Sequence, residues 1–123
     1  MEIYCQNHPN FNYEECKALY DKCKRQIGSE DDFNEVLQDT HFYSFYEDGK
    51  FIGCIYFYLI DGKIYVNAFA GRHTHAINLD CFKKSLTFYN CDIYAKSIRK
   101  TAILCLLRCG FKKIGKNLYK YER

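Results

Sequence analysis

Two Asp-Gly dipeptides divide the middle of this chain into three strand-like segments. Asp48-Gly49 follows the aromatic segment His41–Glu47, and Asp61-Gly62 follows the continuous apolar run Phe51–Ile60. Asp-Gly favours the tight hairpin turns whose two central residues both have positive φ. The third segment, Ile64–Phe69, completes an antiparallel meander. This meander is the clearest local signal in the chain, and it predicts a β-sheet.

Helical periodicity precedes the meander. Apolar residues from Tyr13 to Ile27 recur with a 3.6-residue period, and Gly28 is a suitable helix stop. The sequence Ser29-Glu-Asp-Asp32 has the form of a capping box. It predicts a second short helix that carries Phe33, Val36 and Leu37.

Two further helices follow the meander. Asn78 can cap a helix that runs through Tyr89, and the apolar stripe from Ile98 to Cys109, ended by Gly110, predicts another. Short strands are predicted at Glu2–Cys5, Asp92–Ala95 and Phe111–Tyr121, the last of them Lys-rich as suits an exposed edge. The element order is βααβββαβαβ, in a single domain that spans residues 1–123.

Composition supports a packed interior. Hydrophobic residues make up 48% and aromatic residues 18% of the chain, which argues against disorder. Met1–Cys5 is too short and polar for a signal peptide, and no apolar run reaches the roughly 18 residues that span a bilayer. The eight cysteines include no Cys-x-x-Cys pair, so reduced core thiols in a cytoplasmic setting are favoured over a disulfide framework.

A short signature lies near the end of the chain, in Ala102-Ile-Leu-Cys-Leu-Leu-Arg-Cys-Gly-Phe111. With the element order, it resembles the "N-x-x-A-x-x-L-Y-x-K-x-G-F" pattern of the GNAT N-acetyltransferases. The matching places are Ala102, Arg108, Gly110 and Phe111. The resemblance covers about Tyr43 to Glu122. It implies an α/β (α+β) GNAT-like fold with a central mixed, mostly antiparallel sheet flanked by helices.

The resemblance also implies a cleft for acetyl-CoA. In that family two neighbouring strands splay apart and expose backbone groups to the pantetheine arm, here at Val66 and Ala68. A loop that leads into a helix offers N–H groups to the pyrophosphate. The corresponding stretch is Gly71-Arg-His-Thr-His-Ala76. Its candidate cofactor-binding residues are Arg72, His73, Thr74, His75 and Ala76.

Three departures from the family pattern point to a degenerate site. Thr74 stands where the first glycine of the phosphate loop belongs, so the backbone has less freedom to approach an anion. The tyrosine that protonates the leaving thiolate in the family falls on Leu106, so no catalytic residue is assigned. The strand Ile64–Ala70 contains no carboxylate or histidine to act as a base.

Two functions follow as alternatives. The first is a GNAT-like protein that acetylates poorly or not at all and serves, with or without a bound cofactor, as a binding or assembly module. Such proteins occur among bacteriophages, and the final third of the chain is similar to phage internal virion proteins. A phage origin would imply that the protein acts in the host cytoplasm or in the virion. Its partner would be another protein or further copies of the chain. The second is an active N-acetyltransferase that transfers acetyl from acetyl-CoA to a small amine or a protein amine.

Charge is distributed unevenly along the chain. The net formal charge is −7 over Met1–Asp48, +3 over residues 49–90 and +7 over Cys91–Arg123. Segments of opposite sign could attract each other within the fold or between copies, or form an uneven solvated surface. Nucleic-acid binding through the lysines of the basic end is a third functional alternative.

Other chemically notable residues have simpler interpretations. His73 and His75 have no third metal ligand nearby, so no metal site is predicted. A catalytic thiol at Cys105 or Cys109 would need a basic partner to lower its pKa, and Arg108 is expected to point elsewhere on the helix. Both cysteines are therefore expected to pack in the core. A core or interface role is also expected for Tyr56, Tyr58 and Tyr65.

Overall fold

The computed structural model of the chain describes residues 1–70 and 75–123. These residues form seven strands and four α-helices. The strands are β1 (Glu2–Cys5), β2 (His41–Glu47), β3 (Lys50–Ile60), β4 (Lys63–Ala70), β5 (Ile93–Lys96), β6 (Lys112–Gly115) and β7 (Leu118–Tyr121). The helices are α1 (Tyr13–Cys23), α2 (Phe33–Asp39), α3 (His75–Ser85) and α4 (Lys100–Arg108). Short 3-10 turns extend α1 and α3, over Lys24–Ile27 and Leu86–Phe88.

The seven strands form one sheet, in the order β1-β2-β3-β4-β5-β7-β6. Every neighbouring pair is antiparallel except β4 and β5. Both predicted Asp-Gly hairpins are confirmed, since Asp48 and Gly49 have φ of 50° and 75° and Asp61 and Gly62 have φ of 51° and 77°. Positive φ at both central residues gives the turn a twist that matches the flanking strands.

Helices cover both faces of the sheet, and each face has its own hydrophobic cluster. Successive residues of a strand point to opposite faces, so Ile55 of β3 belongs to one cluster and its neighbour Tyr56 to the other. The first cluster packs under α3 and α4, with Phe82 and Leu106 among its members. The second packs under α1 and α2 around Phe33. This arrangement confirms the predicted mixed sheet flanked by helices.

Three local sequence predictions are wrong. The expected final strand is a hairpin, because Asn117 adopts a φ of 57° and turns the chain between β6 and β7. Helix α3 begins at His75, so Asn78 lies inside the helix and is not its cap. Helix α2 begins at Phe33, and Ser29 does not cap it; the Ser29 hydroxyl lies 2.6 Å from the Tyr20 hydroxyl instead.

Several cysteines pack as small hydrophobes, as predicted. Cys16, Cys54, Cys81 and Cys109 are buried, and all eight cysteines are free thiols. The exposed-edge prediction is also confirmed, because β6 is the last strand of the sheet and its lysines are exposed. In the described part of the chain, no helix has the length and apolarity needed to cross a membrane.

Candidate functional site

A gap opens between the two parallel strands at the centre of the sheet. Strands β4 and β5 pair over only two positions, Ile64 with Ile93 and Tyr65 with Tyr94. Beyond Tyr65, β4 continues to Ala70, paired with β3 on its other side. The two parallel strands therefore diverge after a short paired segment, which leaves backbone groups of β4 facing an open space.

The gap leads into a cavity of about 640 Å³, which we call the cleft. Its wall is formed by residues of β2 to β5, by the inner sides of α3 and α4, and by the turn after α1. Because the turn after α1 lies on one face of the sheet and α3 and α4 lie on the other, the cleft passes between the strands. A cavity of this size can hold a small molecule or part of a larger cofactor.

The structure places Val66 and Ala68 on the cleft wall, where the resemblance puts the pantetheine arm. Val66 is buried, whereas Ala68 is exposed, so the strand turns from core to open surface within three residues. The other predicted cofactor-binding residues divide into two groups. Arg72, His73 and Thr74 lie outside the described residues. His75 and Ala76 begin α3, but their side chains also lie outside what the structure describes.

Leu106 lies on the cleft wall and is 5% exposed. It sits on the inner side of α4, within the hydrophobic cluster under α3 and α4. An aliphatic side chain has no proton to give, so Leu106 cannot act as the general acid that a tyrosine would supply. Among the described residues of the cleft wall, none is an aspartate, glutamate, histidine or tyrosine.

Three thiols line the cleft, and their environments differ. Burial raises the pKa of Cys54 strongly and raises that of Cys81 to about 11, so both remain neutral thiols. A hydrogen bond from Cys109, with help from the Arg108 charge, lowers the pKa of Cys105 to about 7 against the opposing effect of burial. Cys105 is therefore the thiol of the cleft with the greatest thiolate character.

Cys105 packs against the hydrophobic cluster under α3 and α4, as predicted, but it is only partly buried and also lines the cleft. The expectation that Arg108 points away from it is wrong, since the Arg108 charge contributes to its lowered pKa. Arg108 acts on it because adjacent turns of a helix bring side chains three positions apart together. The sequence holds no local signal that assigns Cys105 to the cleft wall, because successive residues of a helix, here Cys105 and Leu106, do not face the same direction.

None of the three tyrosines of β3 and β4, Tyr56, Tyr58 and Tyr65, lines the described cleft wall. Asn67 lines the cleft and donates a hydrogen bond of 3.0 Å to the Tyr56 hydroxyl. Burial raises the pKa of Tyr56, so its hydroxyl is a poor proton donor at neutral pH. Of the three tyrosines expected in the core or at an interface, Tyr56 and Tyr65 are buried, and Tyr58 is partly buried against the cluster under α1 and α2.

The cleft is also lined by three cations that sequence reasoning did not connect. They are Arg25 in the turn after α1, Lys96 at the end of β5 and Arg99 at the start of α4. The Lys96 ammonium lies 5.2 Å from the centroid of the Tyr65 ring, within cation–π range. No cluster of His, Cys, Asp and Glu suited to a metal ion occurs among the described residues.

Sequence comparison finds no relatives, since no protein-family model and no curated protein matches the chain. Solved structures do match. A GNAT family acetyltransferase from Elizabethkingia anophelis, with acetyl-CoA bound, is 17% identical with a TM-score of 0.69, covering 99% of this chain and 97% of its own. An acetyltransferase from Streptococcus agalactiae is 15% identical with a TM-score of 0.70, covering 99% and 98%. A Bacillus subtilis acetyltransferase in complex with CoA is 14% identical with a TM-score of 0.67, covering 99% and 98%.

These likenesses establish the fold of the chain. It is the GNAT acetyltransferase fold, which confirms the expectation drawn from the element order and the signature around Ala102–Phe111. Sequence identities of 14% to 17% show the fold alone and do not show which reaction, if any, the chain carries out.

Proposed function

We propose that this chain is a catalytically degenerate GNAT-fold protein that works as a binding or assembly module. The observation that carries the proposal is Leu106 on the cleft wall. At this place the resemblance calls for a tyrosine that protonates the leaving thiolate. Without that proton donor, CoA would have to leave as an unprotonated thiolate, and the reaction would lose the contribution of general acid catalysis.

The rest of the described cleft wall supports the same proposal. It offers no carboxylate or histidine to take the proton of an acceptor amine. Apart from the Cys105 thiol, its described polar groups are cations and neutral hydrogen-bonding side chains, which bind a ligand but do not move protons at neutral pH. A protein with these groups is better suited to holding a molecule than to transforming it.

The charge distribution supports an assembly role. The N-terminal part to Asp48 carries −7 and the part from Cys91 carries +7. Segments of opposite charge favour contact with a charged protein partner or with another copy of the chain. For a phage-encoded chain, that assembly would take place in the host cytoplasm or within the virion.

The alternative function is an active N-acetyltransferase, and one observation favours it. The gap between β4 and β5 is open, and it ends in a cleft large enough for part of acetyl-CoA. A water molecule would then have to serve as base. Cys105, the cleft thiol of lowest pKa, would have to replace the missing tyrosine as acid.

Two measurements on the purified chain separate these functions. Titration calorimetry with acetyl-CoA is expected to give weak or no binding, and a thiol-release assay with a panel of amines is expected to give no turnover. Micromolar affinity together with turnover would overturn the proposal. Leu106→Tyr and Leu106→Phe form a matched pair that differs by one hydroxyl. Acetyl transfer that appears in the tyrosine variant alone would identify the missing acid as the cause of inactivity.

The assembly part has its own test, which is sedimentation velocity at low and high salt. Self-association through the opposite charges is expected at low salt and should weaken as salt screens them. A monomer at every salt concentration would remove self-assembly and leave only a different protein as the partner.

A further inference from the structure

Three cations reach the cleft from two separate parts of the fold. Arg25 follows α1, whereas Lys96 and Arg99 flank the connection between β5 and α4. Lys96 and Arg99 are close in the sequence, whereas Arg25 is far from both, and only the fold brings it to the same cavity. The convergence of Arg25 with the other two cations is therefore a property of the folded cleft.

No carboxylate balances these charges within the described part of the cleft wall. The ion pairs between described residues involve the amino terminus, Lys17 and Lys120 instead. All three cations are exposed, so solvent screens their mutual repulsion, but their charges add to a positive potential at the cleft. A positive cleft attracts an anionic ligand from solution.

Arg25 differs from the other two cations in its position. It belongs with Gly28 to the turn after α1, on the sheet face opposite α3 and α4. On that same face, Asn67 turns its side chain towards Tyr56 and also lines the cleft. The Asn67 amide nitrogen carries a second N–H besides the one that it donates to Tyr56, so a guanidinium and one amide N–H can serve as donors to a phosphate or carboxylate group.

We propose that the mouth of the cleft on the α1 side binds a small molecule through a phosphate or carboxylate group, with Arg25 as the principal contact. This site would specify the ligand class of the proposed binding role. It rests on that role only because it lies in the same cleft. A polycationic ligand is excluded by the same charges. Lys96 and Arg99 add to the positive potential from the other side of the gap.

The probes are 2-aminoethyl phosphate and ethanolamine, which differ by the phosphate group. Calorimetric titration is expected to show binding of 2-aminoethyl phosphate that weakens as salt is added, and no binding of ethanolamine or spermidine. Equal binding of ethanolamine, or no binding of the phosphate at low salt, would overturn the inference.

Two variants locate the contact. Arg25→Gln is expected to lower the affinity for 2-aminoethyl phosphate at least tenfold. Lys24→Gln, which removes the neighbouring cation that does not line the cleft, is expected to leave the affinity within twofold. Equal losses in both variants would mean that net charge alone attracts the phosphate. Arg25 is exposed, so melting of the variants without ligand is expected to match the unaltered chain, and Arg25→Lys should keep part of the affinity.

The phosphates of CoA are a second source of the same ligand chemistry, and competition distinguishes the two. If adenosine 3′,5′-bisphosphate displaces 2-aminoethyl phosphate and also loses affinity in Arg25→Gln, Arg25 serves the cofactor and the separate site is overturned. Binding of both ligands at once would support it. Acetyl-CoA turnover is measured independently of phosphate binding. An active chain would overturn the proposed function, whereas this inference is decided by the binding of 2-aminoethyl phosphate alone.

Discussion

Asn67 and Tyr56 face each other directly across β4 and β3, and the Asn67 amide nitrogen donates a hydrogen bond of 3.0 Å to the Tyr56 hydroxyl. Asn67 lines the cleft, whereas Tyr56 is buried in the cluster under α1 and α2. The hydrogen bond therefore ties the wall of the cleft to the core on one face of the sheet. It also fixes the amide that we place at the proposed anion-binding mouth.

Tyr56→Phe is expected to destabilise the chain by about 1 kcal/mol, since it removes a buried hydrogen bond and leaves a polar amide with one acceptor fewer. The free energy of unfolding, measured with urea, checks this value. Tyr13→Phe is the matched control, because the Tyr13 hydroxyl bonds Asn34 at an exposed site. A loss in the control as large as that in Tyr56→Phe would contradict the argument.

The meander could be predicted from sequence because its signals are local. Asp48-Gly49 and Asp61-Gly62 select their turn type by backbone preference alone, so the strands beside them follow. The division of the final strand was missed because Asn117 gives a weaker turn signal than an Asp-Gly pair. The first helix begins at Tyr13 as predicted, whereas the predicted caps of α2 and α3 are wrong, since many polar residues near a helix end are acceptable caps.

The site was less predictable because it depends on contacts between distant segments. Leu106 could be assigned from the signature, and the structure places it on the cleft wall. The convergence of Arg25 with Lys96 and Arg99 has no local signal, because it requires the pairing of β4 with β5 and the packing of α1. The cleft exposure of Cys105 was missed because an apolar helical stripe does not distinguish a core position from a cavity wall.

Gly62→Ala is expected to cost about 1 kcal/mol of stability, because the φ of 77° at this position is unfavourable for any residue with a Cβ. An added Cβ would meet no atom within 4 Å, so the cost is purely conformational. Gly115→Ala is the control, since its φ is not in the positive region and its Cβ would make ordinary contact with Leu118 at 3.8 Å. Urea unfolding of both variants should show a loss in the first only.

Cys105 should react with alkylating reagents as a thiol of lowered pKa. Its alkylation rate in the native protein is expected to rise with pH around a midpoint of about 7, because the thiolate is the reacting form. Peptide-level mass spectrometry after brief iodoacetamide treatment measures the rate. Cys109→Ala removes the hydrogen bond that lowers the pKa of Cys105, so the midpoint should move upward. An unchanged midpoint in that variant would show that Cys109 does not set the reactivity.

Asp92 predicts a measurable pH dependence of stability. The backbone N–H of Arg123 donates to its carboxylate at 3.0 Å, and the Lys120 ammonium lies 3.4 Å away. The first of these contacts, with help from the second, lowers the pKa of Asp92 below its ordinary value. A carboxyl group whose pKa is lower in the folded state stabilises the fold above its unfolded-state pKa, and this contribution disappears as the pH falls through the folded pKa.

Asp92→Asn should therefore reduce the stability at neutral pH, and the difference from the unaltered chain should shrink as the pH falls below about 4. Urea midpoints between neutral pH and the acid limit of folding measure this difference. Asp80→Asn provides the control, because Asp80 is exposed and its carboxylate makes none of the ion pairs found between described residues. A loss of stability in Asp92→Asn that stays constant with pH would contradict this prediction. It would mean that the asparagine alters packing at the end of β7, and that the carboxylate charge does not hold the C-terminal strand.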